Sequence, residues 1–207
     1  MRLVVYLLRS SSHTMYDRLY QHISRLVSLT DDEFTLLKTL FIPKKLRRKH
    51  YLLQEGDVCK AIAFVEKGLL RAYTIDTKGT EHILQFAPED WWISDMYSYL
   101  TGEPSDTQID ALEDSELLLL ERINMDLMVE SVPKMERFFR ITLQNNYIAT
   151  QRRIKSALSQ SAEEKYADFI HRYPAIVQRV PQHMIASYLG ITPAFLSRIR
   201  SRKPHSD

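Results

Sequence analysis

The side chains best equipped for recognition chemistry crowd the C-terminal end: Thr192, Ser197, Arg198, Arg200, Ser201, Arg202 and Lys203. A guanidinium presents a planar fork of donors that matches O6 and N7 of guanine in the major groove. Hydroxyls and further cations suit phosphate oxygens, which fix register without reading sequence. Pro193 and Ala194 stand at the head of the same run and offer no hydrogen-bonding side chain. Arg198 is the residue expected to read bases, and Arg200, Arg202 and Lys203 are expected to meet phosphate.

The stretch Val180 to Lys203 supplies the elements that must hold these groups. Ile185, Ala186 and Leu189 give a first helix its apolar face, and Gly190 follows where a helix end tolerates left-handed backbone. Thr192 is the expected N-cap of a second helix, with Pro193 at its first position, where a missing N–H costs nothing. Leu196 and Ile199 bury the second helix on the first, and the small Ala186 permits close approach. This is the spacing of a helix-turn-helix.

The charge distribution agrees. The net +2 of the 207-residue chain hides three zones. Residues 1–75 carry 13 Lys/Arg against 7 Asp/Glu, residues 76–130 carry 2 against 14, and residues 131–207 carry 13 against 5. A basic last third suits a nucleic-acid surface, and the acidic middle repels polyanions. With one cysteine, Cys59, the chain can form no internal disulfide and no cysteine-ligated cluster, and a lone thiol suits a reducing cytoplasm. No transmembrane segment is expected, since the apolar run Leu3–Leu8 is too short to span a bilayer. Residues 1–14 read as an unstructured extension.

Upstream, residues 15–28 place Leu19, Ile23, Leu26 and Val27 on one helical face, and Thr30 to Glu33 is a capping box opening a second helix. From Phe41 to about Glu121 the pattern is short strands: 44–48, 51–54, 61–66, 69–75, 82–86, 108–111 and 116–120, with turns at Gly56, Gly68 and Gly79. Such spacing predicts a small antiparallel barrel or sandwich. The acidic, aromatic segment 87–116 either lines a ligand pocket or interface or covers the barrel end, with one short helix over 93–100. Beyond Pro133 a helix of ~25 residues, ~37 Å long, carries the stripe Met135, Phe138, Phe139, Leu143, Tyr147, Ile154 and Leu158. So long a helix crosses between domains or pairs with its own copy. Ser161 to Glu164 caps another helix, and Tyr173 to Val180 is a linker.

This order resembles the cyclic-AMP receptor/fumarate-nitrate regulator (Crp/Fnr) family of bacterial transcription factors. The resemblance rests on LLQEGDVCKAIAFVEKGLLRAY (Leu52–Tyr73) and, more specifically, on MIASYLGITPAFLSRIR (Met184–Arg200). It implies an α+β fold with an N-terminal antiparallel β-roll like a cyclic-nucleotide-binding domain, a long dimerisation helix and a C-terminal winged helix-turn-helix. The implied division is 1–14 extension, 15–132 sensor with its N-terminal helices, 133–160 dimerisation helix and 161–207 DNA-binding domain. Phe138, Phe139, Leu143, Tyr147 and Ile154 would form the dimer seam. Double-stranded DNA, a second copy, RNA polymerase and a small-molecule effector are the implied partners, in the cytoplasm. The pocket positions fall on Trp92, Ser94, Asp95, Met96, Ser105, Asp106 and Thr107.

The departures from the family pattern also inform. Cyclic-nucleotide binders of this family hold ribose and phosphate with a Gly-Glu pair and an Arg-Ser/Thr pair. Here the matching positions are Ser94-Asp95 and Ser105-Asp106, so the phosphate arginine is absent, and no cyclic-AMP binding is expected. No cofactor or metal is expected. The family's first base-reading positions fall on Pro193 and Ala194, and Arg198 matches its reading arginine. Four residues after Lys203 are too few for the final hairpin of a wing, and a hairpin at Ile176–Val180 is the remaining place for one. Two other functions compete. A cupin-like metalloenzyme would need converging histidines, but the strand region offers only His50 and His82. A ligand-sensing or protein-interaction module without DNA binding would leave the basic C-terminus unexplained.

Overall fold

A computed structural model describes residues 15–201. The N-terminal 1–14 extension, Arg202 and Lys203 lie outside the described residues. Helix α1 spans Asp17–Ser24 and α2 spans Asp31–Leu40. The Thr30 hydroxyl accepts from the Glu33 N–H while the Glu33 carboxylate accepts from the Thr30 N–H at 2.7 Å, the reciprocal cap that its spacing predicts.

Eight strands follow among the described residues: β1 Ile42–Leu46, β2 Tyr51–Leu53, β3 Ala61–Lys67, β4 Leu70–Ile75, β5 Glu81–Ala87, β6 Trp92–Ile93, β7 Gln108–Ala111 and β8 Ser115–Glu121. They form two antiparallel four-stranded sheets, ordered β1-β8-β3-β6 and β2-β7-β4-β5. Apart from the β4–β5 hairpin, successive strands alternate between sheets, so the chain winds a β-roll whose interior takes Leu53, Leu70, Ala72, Ile93, Ile109 and their neighbours. In β3 Ile62 to Glu66 are all buried, because the outer face of the first sheet is covered as well. The Glu66 carboxylate there accepts from the backbone N–H groups of Leu19 and Arg18, holding α1 on the sheet by its positive end. At Gly68 the backbone is left-handed, and a Cβ would collide with the Ser115 side chain and backbone, so only glycine fits between β3 and β4.

Three local expectations change. The segment 93–100 is not one helix: Trp92 and Ile93 pair with β3, and the helix α3 begins at Met96 and ends at Thr101. Helix α4, Arg122–Ser131, fills a stretch with no helical expectation. Residues 173–180 are not a linker, and no hairpin forms there: α7 occupies Pro174–Arg179, its proline at the first turn. Among the described residues no strand follows Glu121, so no wing is present in them.

Helix α5 runs Lys134–Ser159, 26 residues and ~39 Å. Its first turns belong to the roll. Phe138 is fully buried among His22, Trp92 and Phe139 on the outer face of the first sheet, so it is a core residue of its own protomer and not part of a dimer seam. Phe139 packs partly on Trp92. Beyond them Leu143, Tyr147, Ile148, Ile154 and Leu158 are exposed. Helices α6 Ala162–Arg172, α8 Gln182–Leu189 and α9 Pro193–Ser201 complete the chain. Their core is a second cluster, Phe169, Ile176, Val180, Ile185, Ala186 and Leu196, continuous with Leu69, Tyr73, Ile83 and Phe86 of the second sheet.

Candidate nucleic-acid interface and sensor cassette

Helices α8 and α9 meet as their sequence requires. Gly190 takes φ +68°, and Ile191 N–H reaches back to the Ala186 carbonyl at 3.0 Å, the six-residue return of a glycine C-cap. The Thr192 hydroxyl accepts from the Phe195 N–H at 3.2 Å, opening α9. Ile185, Ala186 and Leu196 are completely buried between the two helices. The opposite face of α9 carries Thr192, Pro193, Ala194, Ser197, Arg198, Arg200 and Ser201, all exposed. Arg198 lies 5.2 Å from the Phe195 ring and has no carboxylate partner among the described residues, so its donors are directed to solvent.

This helical pair is fastened to the second sheet along β5. Ser187 accepts from the Ile83 N–H and donates to the Glu81 carbonyl at 2.7 Å. Arg153 of α5 donates to the Ile83, Leu84 and Tyr188 carbonyls and lies 4.3 Å from the Tyr188 ring. Arg179 of α7 forms forked pairs with Glu89 and Glu113 on the roll. The two carboxylates push the Arg179 guanidinium well above its ordinary value. Burial alone would raise Glu89, but Arg179 outweighs it and holds that carboxyl below its usual value. These residues escaped sequence reasoning because partners 66 to 106 positions apart leave no local pattern.

The expected pocket divides. Trp92 packs on Phe64, Phe41 and the start of α5, on the outer face of the first sheet, and does not join the others. Asp95, Ser105 and Thr107 do come together. The Asp95 carboxylate caps α3, accepting from Tyr97 N–H at 3.0 Å and Ser98 N–H at 3.2 Å, and from the Ser105 hydroxyl at 2.6 Å. Ser105 is tied further to both backbone groups of Thr107. Ser98 accepts from the Cys59 N–H and donates to the Glu103 carbonyl, locking the β2–β3 connection to α3. Met96 is exposed, and Asp106 accepts only from the Thr107 hydroxyl. The donors that could receive an external anion thus already hold the chain's own carboxylate. A start at Met96 rather than Ile93 would have revealed Asp95 as an N-cap. Burial pushes the Cys59 thiol up, so its thiolate is disfavoured. No group of three or more potential metal-ligating His, Cys, Asp or Glu residues lies together among the described residues.

Residues 43–131 match the family described as the cyclic nucleotide-binding domain. The regulatory protein HlyX of Actinobacillus pleuropneumoniae is 27% identical over 188 residues, 84% of this chain and 77% of the relative. The chain is thus similar to a curated regulator over most of its length, and its roll to the cyclic nucleotide-binding domain. Among solved structures, FixK2 of Bradyrhizobium japonicum superimposes with a TM-score of 0.67 at 16% identity, covering 78% of this chain and 83% of that one. The regulator CLP of Xanthomonas campestris, described as responsive to c-di-GMP, gives 0.69 at 10% identity, covering 84% and 91%. These likenesses show a shared fold over most of the chain. No helix among the described residues is long and apolar enough to cross a membrane.

Proposed function

We propose that this protein is a regulator of the Crp/Fnr kind: a homodimeric, sequence-specific DNA-binding regulator of transcription in the cytoplasm, with α9 entering the major groove and Arg198 reading a base. The observation that carries this reading is the outward face of α9, where Arg198 stands exposed and unpaired beside Ser197, Arg200 and Ser201. Arg202 and Lys203, next in sequence, would extend the phosphate contacts. The second copy would pair along the exposed part of α5, where Leu143, Tyr147 and Ile154 follow coiled-coil spacing. Each α9 would then address one half-site, the two about 34 Å apart. RNA polymerase is the further partner expected of such a regulator.

The sensor cassette is closed by Asp95, which argues against cyclic AMP as the effector. A cyclic phosphate would have to displace a carboxylate held by three donors, and the Ser105-Asp106 position carries no arginine to receive it. Micromolar cyclic-AMP affinity by calorimetry would overturn this part of the reading. Any small-molecule effector would have to use another surface or open the cassette.

Selection of bound fragments from a random duplex pool tests the whole. A single recurrent, two-fold symmetric site is expected. Arg198→Ala should then cost about 1–3 kcal/mol on that site and relax one base position per half-site. Equal loss on all sequences would reduce Arg198 to a phosphate contact. Tyr147→Glu should separate the dimer in sedimentation, and an unchanged dimer would move the seam elsewhere.

A further inference from the structure

One guanidinium joins the long helix, the sensor and the helix-turn-helix. Arg153 stands on α5 and donates to the Ile83 carbonyl at 2.9 Å and the Leu84 carbonyl, both on β5, and to the Tyr188 carbonyl of α8 at 3.4 Å. Its guanidinium carbon lies 4.3 Å from the centre of the Tyr188 ring. That ring packs in turn on Phe86 of the sheet at 5.5 Å and on Phe169 of α6 at 5.2 Å. Two of the three acceptors are carbonyls that regular structure leaves over. The pairing of β5 with β4 skips Leu84, which is the extra residue of a bulge. Tyr188 belongs to the last turn of α8, where carbonyls have no partner within the helix and a cation is favoured.

Little slack separates this grip from the recognition helix. Four residues stand between Tyr188 and Pro193, where α9 begins. They are closed by backbone bonds: Gly190 N–H to the Ser187 carbonyl at 3.1 Å and Ile191 N–H to the Ala186 carbonyl at 3.0 Å. The Thr192 hydroxyl, accepting from Phe195 N–H at 3.2 Å, ties their end to α9. A shift of the Tyr188 carbonyl therefore carries into α9. On the other side, Arg153 is the neighbour of the exposed Ile154. Consecutive residues of an α-helix point about 100° apart. One turn of α5 thus turns Ile154 outward and Arg153 onto α8.

We infer that Arg153 is a positioning residue that fixes each α9 relative to the seam between the two copies, and so sets the half-site separation the dimer accepts. This rests on the dimeric DNA-binding reading above. One added base pair moves a half-site by roughly 3.4 Å along the duplex and turns it by roughly 35° about the axis. A rigidly held α9 cannot follow that change. Without Arg153, Ser187 is the polar tie left between α8 and β5 among the described residues, and a single tie lets the α8–α9 pair pivot. Arginine suits the task because its planar fork can grip several carbonyls at once, whereas a lysine ammonium is a point charge.

The test uses the full chain and its selected operator in three duplexes: the native spacing, and one base pair added or removed between the half-sites. The variants are Arg153→Ala and Arg153→Lys, each checked for an intact fold by thermal melting. Wild type should prefer the native spacing by about thirtyfold or more, the size of a mismatched base pair. Arg153→Ala should narrow that preference about tenfold, as loss of one hydrogen bond from a charged group would. Arg153→Lys should narrow it likewise, because the charge without the fork cannot hold the three carbonyls. If Arg153→Ala fails to fold, the lysine variant decides. Wild type indifferent to spacing overturns the inference. Variants that weaken equally on all three duplexes, with the preference kept, make Arg153 a stabilising tie only and also overturn it. A lysine variant that keeps the full preference while alanine loses it assigns the effect to charge and overturns it too. All three of these outcomes leave base reading by α9 standing. Wild type that binds no duplex above random DNA sinks the regulator reading and this one with it.

Discussion

Replacing Asp95 by alanine removes the acceptor around which the sensor cassette is closed. The carboxylate receives the N–H groups of Tyr97 and Ser98 and the Ser105 hydroxyl at 2.6 Å. Losing an N-cap costs about 0.5–2 kcal/mol. A hydrogen bond to a charged group contributes roughly 1.5–3 kcal/mol. The Ser105 hydroxyl keeps its bonds to Thr107, so the second figure is not lost in full. The expected destabilisation is therefore about 2–3 kcal/mol, taken from both principles. For a chain of this size that lowers the melting temperature by about 5–10 °C. Scanning calorimetry or circular dichroism on the full chain reads it directly. Asp95→Asn keeps an acceptor at the cap and loses only the charge, so it should give less than half the effect. An alanine variant that melts within about 1 °C of wild type, less than one kcal/mol produces, would mean that the carboxylate does not hold the cassette, and the argument against anionic effectors there would fall with it.

Arg179→Ala leaves Glu89 and Glu113 without their cation and should loosen α7 from the roll, read as faster proteolysis between α6 and α8 with the roll's own melting little changed. The pH dependence follows from Glu89, whose folded value is depressed. Its contribution is complete above the usual glutamate value of about 4.3 and fades as pH falls through the lower folded value. Protease protection of α7 should fade over that window in wild type and be absent at all pH in the variant. His22 is pushed down, first by burial, with Asp90 opposing and Arg25 assisting. Its Nδ1 is buried with no hydrogen-bond partner. A depressed histidine stabilises fully above its unfolded value of about 6.5 and loses that contribution as pH falls through the folded one. The sensor should therefore weaken between neutral and mildly acid pH, and NMR titration of His22 should place its midpoint below the ordinary value. A midpoint at or above it would refute the burial argument.

Local chemistry was the legible part of this chain. Thr30-Glu33 and Ser161-Glu164 announce helix starts, Gly190 and Thr192-Pro193 announce the turn, and the glycine turns separate the strands. Each is a short-range pattern with one dominant physical cause. What stayed hidden depends on remote partners. Trp92 and Ile93 are a two-residue strand only because β3 lies beside them. Helix α4 has a single buried residue, Met128, and no side-chain cap to mark it. Phe138 shares a helical stripe with Tyr147, and periodicity cannot say that the first lies under the roll while the second faces outward. At the recognition helix sequence and geometry coincide, since Arg198 needs only its own helix to project. At the cassette they diverge, because the role of Asp95 appears only when α3 starts three residues later than expected.

The docking of α8 along β5 bears on how this molecule can be taken apart. Strand β5 is the border of its sheet, and Ser187 and Arg153 satisfy backbone groups that a lone border strand would offer to any passing chain. Leu69, Tyr73, Ile83 and Phe86 lie beneath the same cover. A sensor cut away at the end of α5 would keep Arg153 but lose Ser187, baring the Ile83 N–H, the Glu81 carbonyl and that apolar cluster at once. Such a fragment would self-associate through that uncovered rim, so the C-terminal helices serve as the sensor's own solubility shield as well as its output.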